Sequence, residues 1–321
     1  MTSVRDPRVA VMRQNIHGMD SRGLYTELRD RLGDDRVFHA DTRARELEIV
    51  PSVEMAVGYR LPDAVVDAPG SISVFACSFA GVEHLDLDRY RAAEIAVTNA
   101  AGVHTQNMTE HVIGAMLYFS RRFDRAVAYQ EDRQWRSYPP GELAGTSAVV
   151  MGMGRVGTGV CEMLQHFDVE GTGIRHSPKK GGPATSVIGY DDSAAVDAAL
   201  AKASSVIIAA PLTDQTRGFI DGERLLTMRS DAVVINVGRG AIIQTDALVS
   251  ALRSNAIAGA ALDVTDPEPL PESHPLWTFE NVLITPHNAG ATPRYWERLA
   301  DIVEANLTRL AAGDALLNRV V

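Results

Sequence analysis

Three groups of residues in this sequence have types and spacings suited to chemistry. The first is Gly152-Met153-Gly154-Arg155-Val156-Gly157, which follows the β-branched run Val149-Val150-Met151 and opens a helical pattern. In that setting the first glycine permits a tight turn, the second lets a pyrophosphate reach the backbone, and the third lets helix pack on strand. Exposed N–H groups at the helix start then bind the anion. Similar strings occur in chance loops and in adenosylmethionine enzymes, but the flanking strand and helix select a dinucleotide. The second group lies about 20 residues on, where such domains usually place Asp or Glu to hold the ribose hydroxyls. Here the strand ends Gly173-Ile174-Arg175-His176-Ser177, with Lys179 and Lys180 behind it. A carboxylate would repel a 2′-phosphate, whereas Arg175 can clamp one with two charge-assisted hydrogen bonds. The expected coenzyme is therefore NADP(H), with NAD(H) as the second choice.

The third group is Arg239 and His287. Arg239 follows a buried run and is flanked by Gly238 and Gly240, which leave room for backbone and ligand to approach. A guanidinium there can bind a carboxylate bidentately and polarise a neighbouring carbonyl. His287 closes the run Val282 to Thr285 and is a natural acid–base group, since an imidazole ordinarily titrates near ~6.5.

The elements that must position these residues alternate along the chain. Ser147 to Met151, Ser205 to Ala209, Ala232 to Asn236, Ala258 to Leu262 and Val282 to Thr285 read as strands apolar on both faces. Strands of a parallel sheet covered by helices have that pattern. Val156 to Phe167 and Thr245 to Ser254 read as helices between them. Strand–helix–strand alternation implies a doubly wound α/β domain. The first hundred residues repeat the pattern more weakly, with strands at Val9 to Met12, Ser73 to Cys77 and Ile95 to Thr98 and a helix from Arg22 to Leu32. A long helix from Thr105 (as its cap) to Phe119 follows, then a polar stretch from Arg133 to Gly145. The last helix, Pro293 to Ala312, is expected to return to the first domain. The reading is thus an α/β protein of two Rossmann-like domains with doubly wound parallel sheets and an active site in the cleft between them. A discontinuous substrate domain spans 1–100 and 289–321, and the dinucleotide-binding domain spans 101–288.

Composition bounds the rest. A chain of 321 residues suits two domains, and 45% apolar with 22% charged residues is the balance of a globular protein. A net charge of −10 argues against nucleic acid, which needs a clustered basic face. No apolar run approaches the ~20 residues of a membrane span, and the polar start from Met1 to Arg8 gives no signal peptide. Cys77 and Cys161 show no metal-ligand spacing and are expected as reduced thiols in a cytoplasmic protein.

From about Thr98 to His287 the sequence resembles the D-isomer-specific 2-hydroxyacid dehydrogenase family. Four blocks carry the likeness in order: the glycine turn; Pro211-Leu-Thr-Asp-Gln-Thr216; Asn236-Val-Gly-Arg239-Gly240; and Ala261-Leu-Asp263-Val with Glu268-Pro-Leu, closing at Thr285-Pro-His287. The first hundred residues match poorly, apart from Phe79-Ala80-Gly81-Val82, which resembles the family's loop for the substrate carboxylate. The resemblance implies hydride transfer from NADPH to a 2-oxoacid, as in the glyoxylate and hydroxypyruvate reductase branch. It assigns catalysis to Arg239, His287 and Glu268, the last orienting the imidazole and stabilising its protonated form. Around the coenzyme it puts Met108, the glycine turn, Ala210, Pro211, Thr216 (also a possible helix cap), Val237, Gly238 and Asp263, the last on the nicotinamide carboxamide. Ala80, Gly81 and Val82 would offer N–H groups to the substrate, with the side-chain pocket near Tyr59 or Phe79. A homodimer through the dinucleotide-binding domain is implied as well. Two alternatives stay open: a dinucleotide-sensing corepressor-like protein, and an NAD-dependent dehydrogenase of the phosphoglycerate type.

Overall fold

The computed structural model describes residues 6–16 and 18–321. Residues 1–5, most of the polar start in which no signal peptide is read, lie outside the described residues. The chain forms two compact units, Met1–His104 with Ala291–Val321, and Thr105–Gly290. Among the described residues no helix is long and apolar enough to cross a membrane.

The first unit is built on strands β1 (Val9–Met12), β2 (Val37–Ala40), β3 (Met55–Gly58), β4 (Val74–Cys77) and β5 (Ala96–Thr98). They pair in parallel in the order β2-β1-β3-β4-β5. Side chains alternate across a strand, and the packing follows that period. Val9 and Val11 enter one cluster with Leu24, Leu28, Leu299 and Val303, whereas Ala10 and Met12 enter another with Val65, Phe75 and Tyr90. Leu24 and Leu28 sit one helical turn apart on Arg22–Leu32, so one stripe of that helix faces the sheet. Each such buried side chain contributes about 1.5–3 kcal/mol. The helix Tyr295–Ala312 covers the same face and ends at Gly313, whose φ of 73° is left-handed.

The second unit holds β6 (Ser147–Met151), β7 (Glu170–Arg175), β8 (Ser186–Gly189), β9 (Ser205–Ile208), β10 (Val233–Asn236), β11 (Gly259–Leu262) and β12 (Val282–Ile284). All pair in parallel, in the order β12-β11-β10-β9-β6-β7-β8. Val149, Met151, Val206 and Ile208 face one core with Val196, Leu225 and Leu248 of three helices. Ala148, Val150 and Ile207 face the other with Val112, Met116, Val160 and Leu164 of two more. Both faces are therefore covered, as the apolar runs imply. The chain runs one way from β6 through β7 and β8 and the other way through β9, so β6 and β9 flank the point where the winding reverses. In open α/β sheets, ligands bind at the carboxyl ends of the strands at such a point.

Two local expectations need correction. Thr216 caps no helix: its hydroxyl donates to Pro211 O at 2.7 Å and accepts from Thr213 N within a tight turn, while Asp221 caps the next helix, Gly222–Thr227. Thr105 is the first residue of its helix, Thr105–Ser120, rather than its cap. That helix also buries its apolar side in its own unit through Val112, Ile113 and Met116. Exposed apolar side chains of this unit include Phe123 (49%) and Val127 (51%) on the helix Phe123–Glu131, and Trp135 (105%) in the arm that follows.

Candidate active site

The glycine turn leaves β6 and enters the helix Arg155–His166. Gly152 has φ 91°, and a side chain there would strike the backbone of Ala209 and Ala210. At Gly157 an added Cβ would lie 1.8 Å from Gly152 O, so helix and strand touch only because it is glycine. Around Gly154 the space where a Cβ would project is open, and no side chain caps the helix start. An open backbone cradle with uncapped N–H groups fits a pyrophosphate.

Arg175 ends β7, half-buried, with one guanidinium N–H donating to Gly181 O at 2.6 Å. His176 Nδ1 meets Gln215 Oε1 at 3.1 Å, Lys179 and Lys180 are exposed, and no carboxylate pairs with Arg175 among the described residues. The second turn is therefore cationic and held in shape.

The remaining residues end the other strands at the same edge. Ala210 and Pro211 follow β9, Ala210 being buried against Gly152 and Gly238. Val237, Gly238 and Arg239 follow β10. Asn236, fully buried, shapes this turn by accepting from Gly238 N at 3.0 Å and donating to Arg239 O at 3.1 Å. Arg239 itself is exposed, with one N–H on Gly238 O at 2.8 Å. Asn236 opens the Asn236–Gly240 block, and its part in the turn emerges from the fold. An Asn at a strand end, two residues before a glycine, signals such a side-chain turn.

Glu268 and His287 come from the segments after β11 and β12. His287 Nδ1 lies 2.6 Å from Glu268 Oε1, with the two side chains 53% and 41% exposed. With Nδ1 engaged, Nε2 is the imidazole nitrogen left to exchange a proton with a ligand. His287 occupies the left-handed region with φ 51°. Asp263, only 4% exposed, follows β11 and binds the His287 loop. Met108, in the first turns of its helix, packs on the core beside the sheet.

In the first unit, Ala80, Gly81 and Val82 follow β4. Their N–H groups donate to no other group among the described residues, while Asn99 Nδ2 holds Ala80 O at 2.7 Å. The rings of Tyr59 and His84 stack at 4.1 Å beside this loop, with Phe79 edge-on to both.

A seven-stranded parallel sheet with a phosphate turn at its winding reversal, and an arginine and a carboxylate–imidazole pair at the same edge, defines a nicotinamide-dependent oxidoreductase. The chain belongs to the D-isomer specific 2-hydroxyacid dehydrogenase family, whose NAD binding domain matches residues 113–289. A glyoxylate reductase of Thermofilum pendens is 35% identical over 266 residues, 80% of this chain and 78% of the relative. The human glyoxylate reductase/hydroxypyruvate reductase is 30% identical over 258 residues, 78% of each chain. Among solved structures, the D-isomer specific 2-hydroxyacid dehydrogenase of Xanthobacter autotrophicus in complex with NADPH and MES superposes with a TM-score of 0.79. It is 27% identical, covering 98% of both chains.

Proposed function

We propose that this protein reduces a 2-oxoacid to the D-2-hydroxyacid with NADPH as hydride donor. The carrying observation is the 2.6 Å contact between Glu268 and His287 at the edge that also bears Arg239 and the glycine turn. Glu268 accepts from Nδ1–H, which orients the ring so that Nε2 faces the substrate. Nε2–H then donates to the carbonyl oxygen as C2 becomes tetrahedral, and neutral imidazole remains. Arg239 binds the substrate carboxylate and draws charge toward the adjacent carbonyl. In the first unit the N–H groups of Ala80, Gly81 and Val82, which donate to no other group among the described residues, are proposed as donors for a substrate carboxylate. Reduced nicotinamide, when bound, supplies the hydride, and one proton from solvent restores the imidazolium. Oxidation of the D-2-hydroxyacid uses the same groups in reverse.

In this reading Gly152, Gly154, Arg155, Val156 and Gly157 hold the pyrophosphate, and Ala210, Pro211, Thr216, Val237, Gly238 and Met108 line the coenzyme. Arg175, with His176 and Ser177, receives the 2′-phosphate. The helix Phe123–Glu131 buries none of its residues and exposes Phe123 and Val127 one turn apart, which supports a homodimer, since contiguous exposed apolar surface marks interfaces. The test is NADPH oxidation over a panel of 2-oxoacids, from glyoxylate and hydroxypyruvate to branched and aromatic ones, with products resolved by chirality. Turnover to D-products is expected. Coenzyme binding without turnover of any 2-oxoacid refutes the catalytic reading.

A further inference from the structure

The loop from Phe79 to Val82 owes its open N–H groups to bonds made on its other side. A trans peptide plane points its C=O and the following N–H in opposite directions. A carbonyl tied to the body of the unit therefore turns the next N–H outward. Phe79 O accepts from Ala100 N at 3.0 Å and Ala80 O from Asn99 Nδ2 at 2.7 Å, which turns the N–H groups of Ala80 and Gly81 away from those partners. The plane that leads into the loop is set at Ser78, whose N–H donates to Gly58 O at 2.8 Å and whose carbonyl accepts from the hydroxyl of Tyr295. Tyr295 opens the helix Tyr295–Ala312, 217 residues further along the chain. Tyr295 and Ser78 are each only 1% exposed, so a carbonyl that lost this donor would find no solvent in its place. The ring packs against His104 and Trp296, with centroids 5.3 and 5.2 Å away. Burial pushes its phenol above the ordinary value, so it stays protonated and donates. At the far end of the loop, His84 Nε2 donates to Tyr59 O at 2.9 Å.

We propose that Tyr295 is a positioning residue for substrate binding: by holding Ser78 O it fixes the peptide plane that enters the loop, and so the direction in which Ala80, Gly81 and Val82 present their N–H groups. The assignment deepens the catalytic reading above and rests on it for the role of the loop. The returning helix then does more than cover the sheet of the first unit, because its first residue shapes the loop. Asn318, further along the same return, donates to Asn99 O at 3.2 Å and to Ala101 O at 2.8 Å, and so steadies the residue that holds Ala80 O. Phenylalanine at 295 keeps the ring and its packing but leaves Ser78 O without its donor. A carboxylate held by loop amides is held alike in ground and transition state, so the loss falls on KM rather than kcat.

The experiment compares Tyr295→Phe and Tyr90→Phe with wild type. Tyr90 is the matched control, a tyrosine of the same unit, 3% exposed, whose hydroxyl meets a backbone group outside the loop by accepting from Leu61 N at 3.1 Å. The measurements are kcat and KM for a 2-oxoacid at saturating NADPH, the Kd by fluorescence titration with NADPH alone, the thermal midpoint, and hydrogen exchange at the Ser78 and Ala100 amides. Tyr295→Phe should raise KM about 10-fold, as when one hydrogen bond to a charged group is lost. Its kcat and NADPH Kd should stay near wild type, and Ala100 should lose exchange protection as Phe79 O shifts. Tyr90→Phe should lower the thermal midpoint while KM stays at the wild-type value. Unchanged KM in Tyr295→Phe overturns the proposal. So does an equal rise of KM in Tyr90→Phe, which assigns the effect to a general loosening of the unit, and so does a rise in NADPH Kd that matches the rise in KM. If wild type turns over no 2-oxoacid, the catalytic reading fails by itself. Exchange then decides the clamp, and full protection of Ala100 in Tyr295→Phe overturns it.

Discussion

Replacing Arg175 by aspartate should invert the coenzyme preference. The guanidinium is already ordered by its 2.6 Å bond to Gly181 O and is half-buried, so little side-chain freedom is lost when it meets a phosphate. A hydrogen bond to a charged group contributes about 1.5–3 kcal/mol, which corresponds to roughly 10- to 100-fold in affinity. That is the expected advantage of NADPH over NADH in wild type. Aspartate removes the clamp and adds repulsion, about 1 kcal/mol for two charges ~4 Å apart in a water-like setting, or roughly another 5-fold. It also offers the ribose hydroxyls of NADH an acceptor. The assay is kcat/KM for both coenzymes in wild type and variant, at low and high salt. The wild-type preference should shrink as salt screens the phosphate. Wild type preferring NADH, or a variant that still prefers NADPH, refutes the argument that the turn after β7 selects the coenzyme.

Three other outcomes are expected. His287→Ala should lose the roughly 10²–10⁴-fold typical of general acid catalysis, and Glu268→Gln should lower kcat while leaving NADPH binding intact; full activity in either variant removes that residue from the mechanism. Sedimentation at micromolar concentration should show two chains, and charging the exposed apolar patch with Phe123→Glu and Trp135→Glu should return single chains. Burial pushes the Cys77 thiol up to about 11 and Cys161 up to about 12, so thiolate is scarce in the native state near pH 8. A thiol reagent should therefore modify both only after denaturant is added; prompt reaction of the folded protein contradicts that burial.

What could be read in the sequence follows from where the physical signal is strong. Among the interior strands of the second unit, β6, β9 and β10 carry β-branched runs and β11 the small apolar run Gly-Ala-Ala-Leu, and all four lie where those runs fall. β2, Val-Phe-His-Ala, is broken by a histidine, and β3, Met-Ala-Val-Gly, holds a single β-branched residue, so neither stands out as a strand. β7 is interrupted by Gly171 and Gly173, so only its end was legible. The helix Phe123–Glu131 buries none of its residues, and its apolar stripe, Phe123, Ala126 and Val127, covers little more than one turn, too short to announce it. The glycine turn carries its own signature. The approach of Glu268 to His287, 19 residues apart, has no local signal and could be anticipated only from the family's ordered blocks. The grip of Asp263 on the His287 loop was illegible for another reason: its partners at Asn288 and Ala289 are backbone N–H groups, which every sequence has.

The parallel arrangement of the second unit divides its perimeter into unequal halves. Every residue given a strand-end role there lies at the carboxyl edge, and the strands of three to six residues between the edges span about 10–20 Å at ~3.3 Å per residue. The opposite edge carries surface turns such as Met228 to Ala232, where Arg229, Ser230 and Asp231 are exposed and Arg229 pairs with nearby Asp231. A reporter peptide, an affinity handle or a new pair of chain termini can be built into that turn with the coenzyme edge left intact. The same graft made after β10 or β11 would cut through the machinery itself.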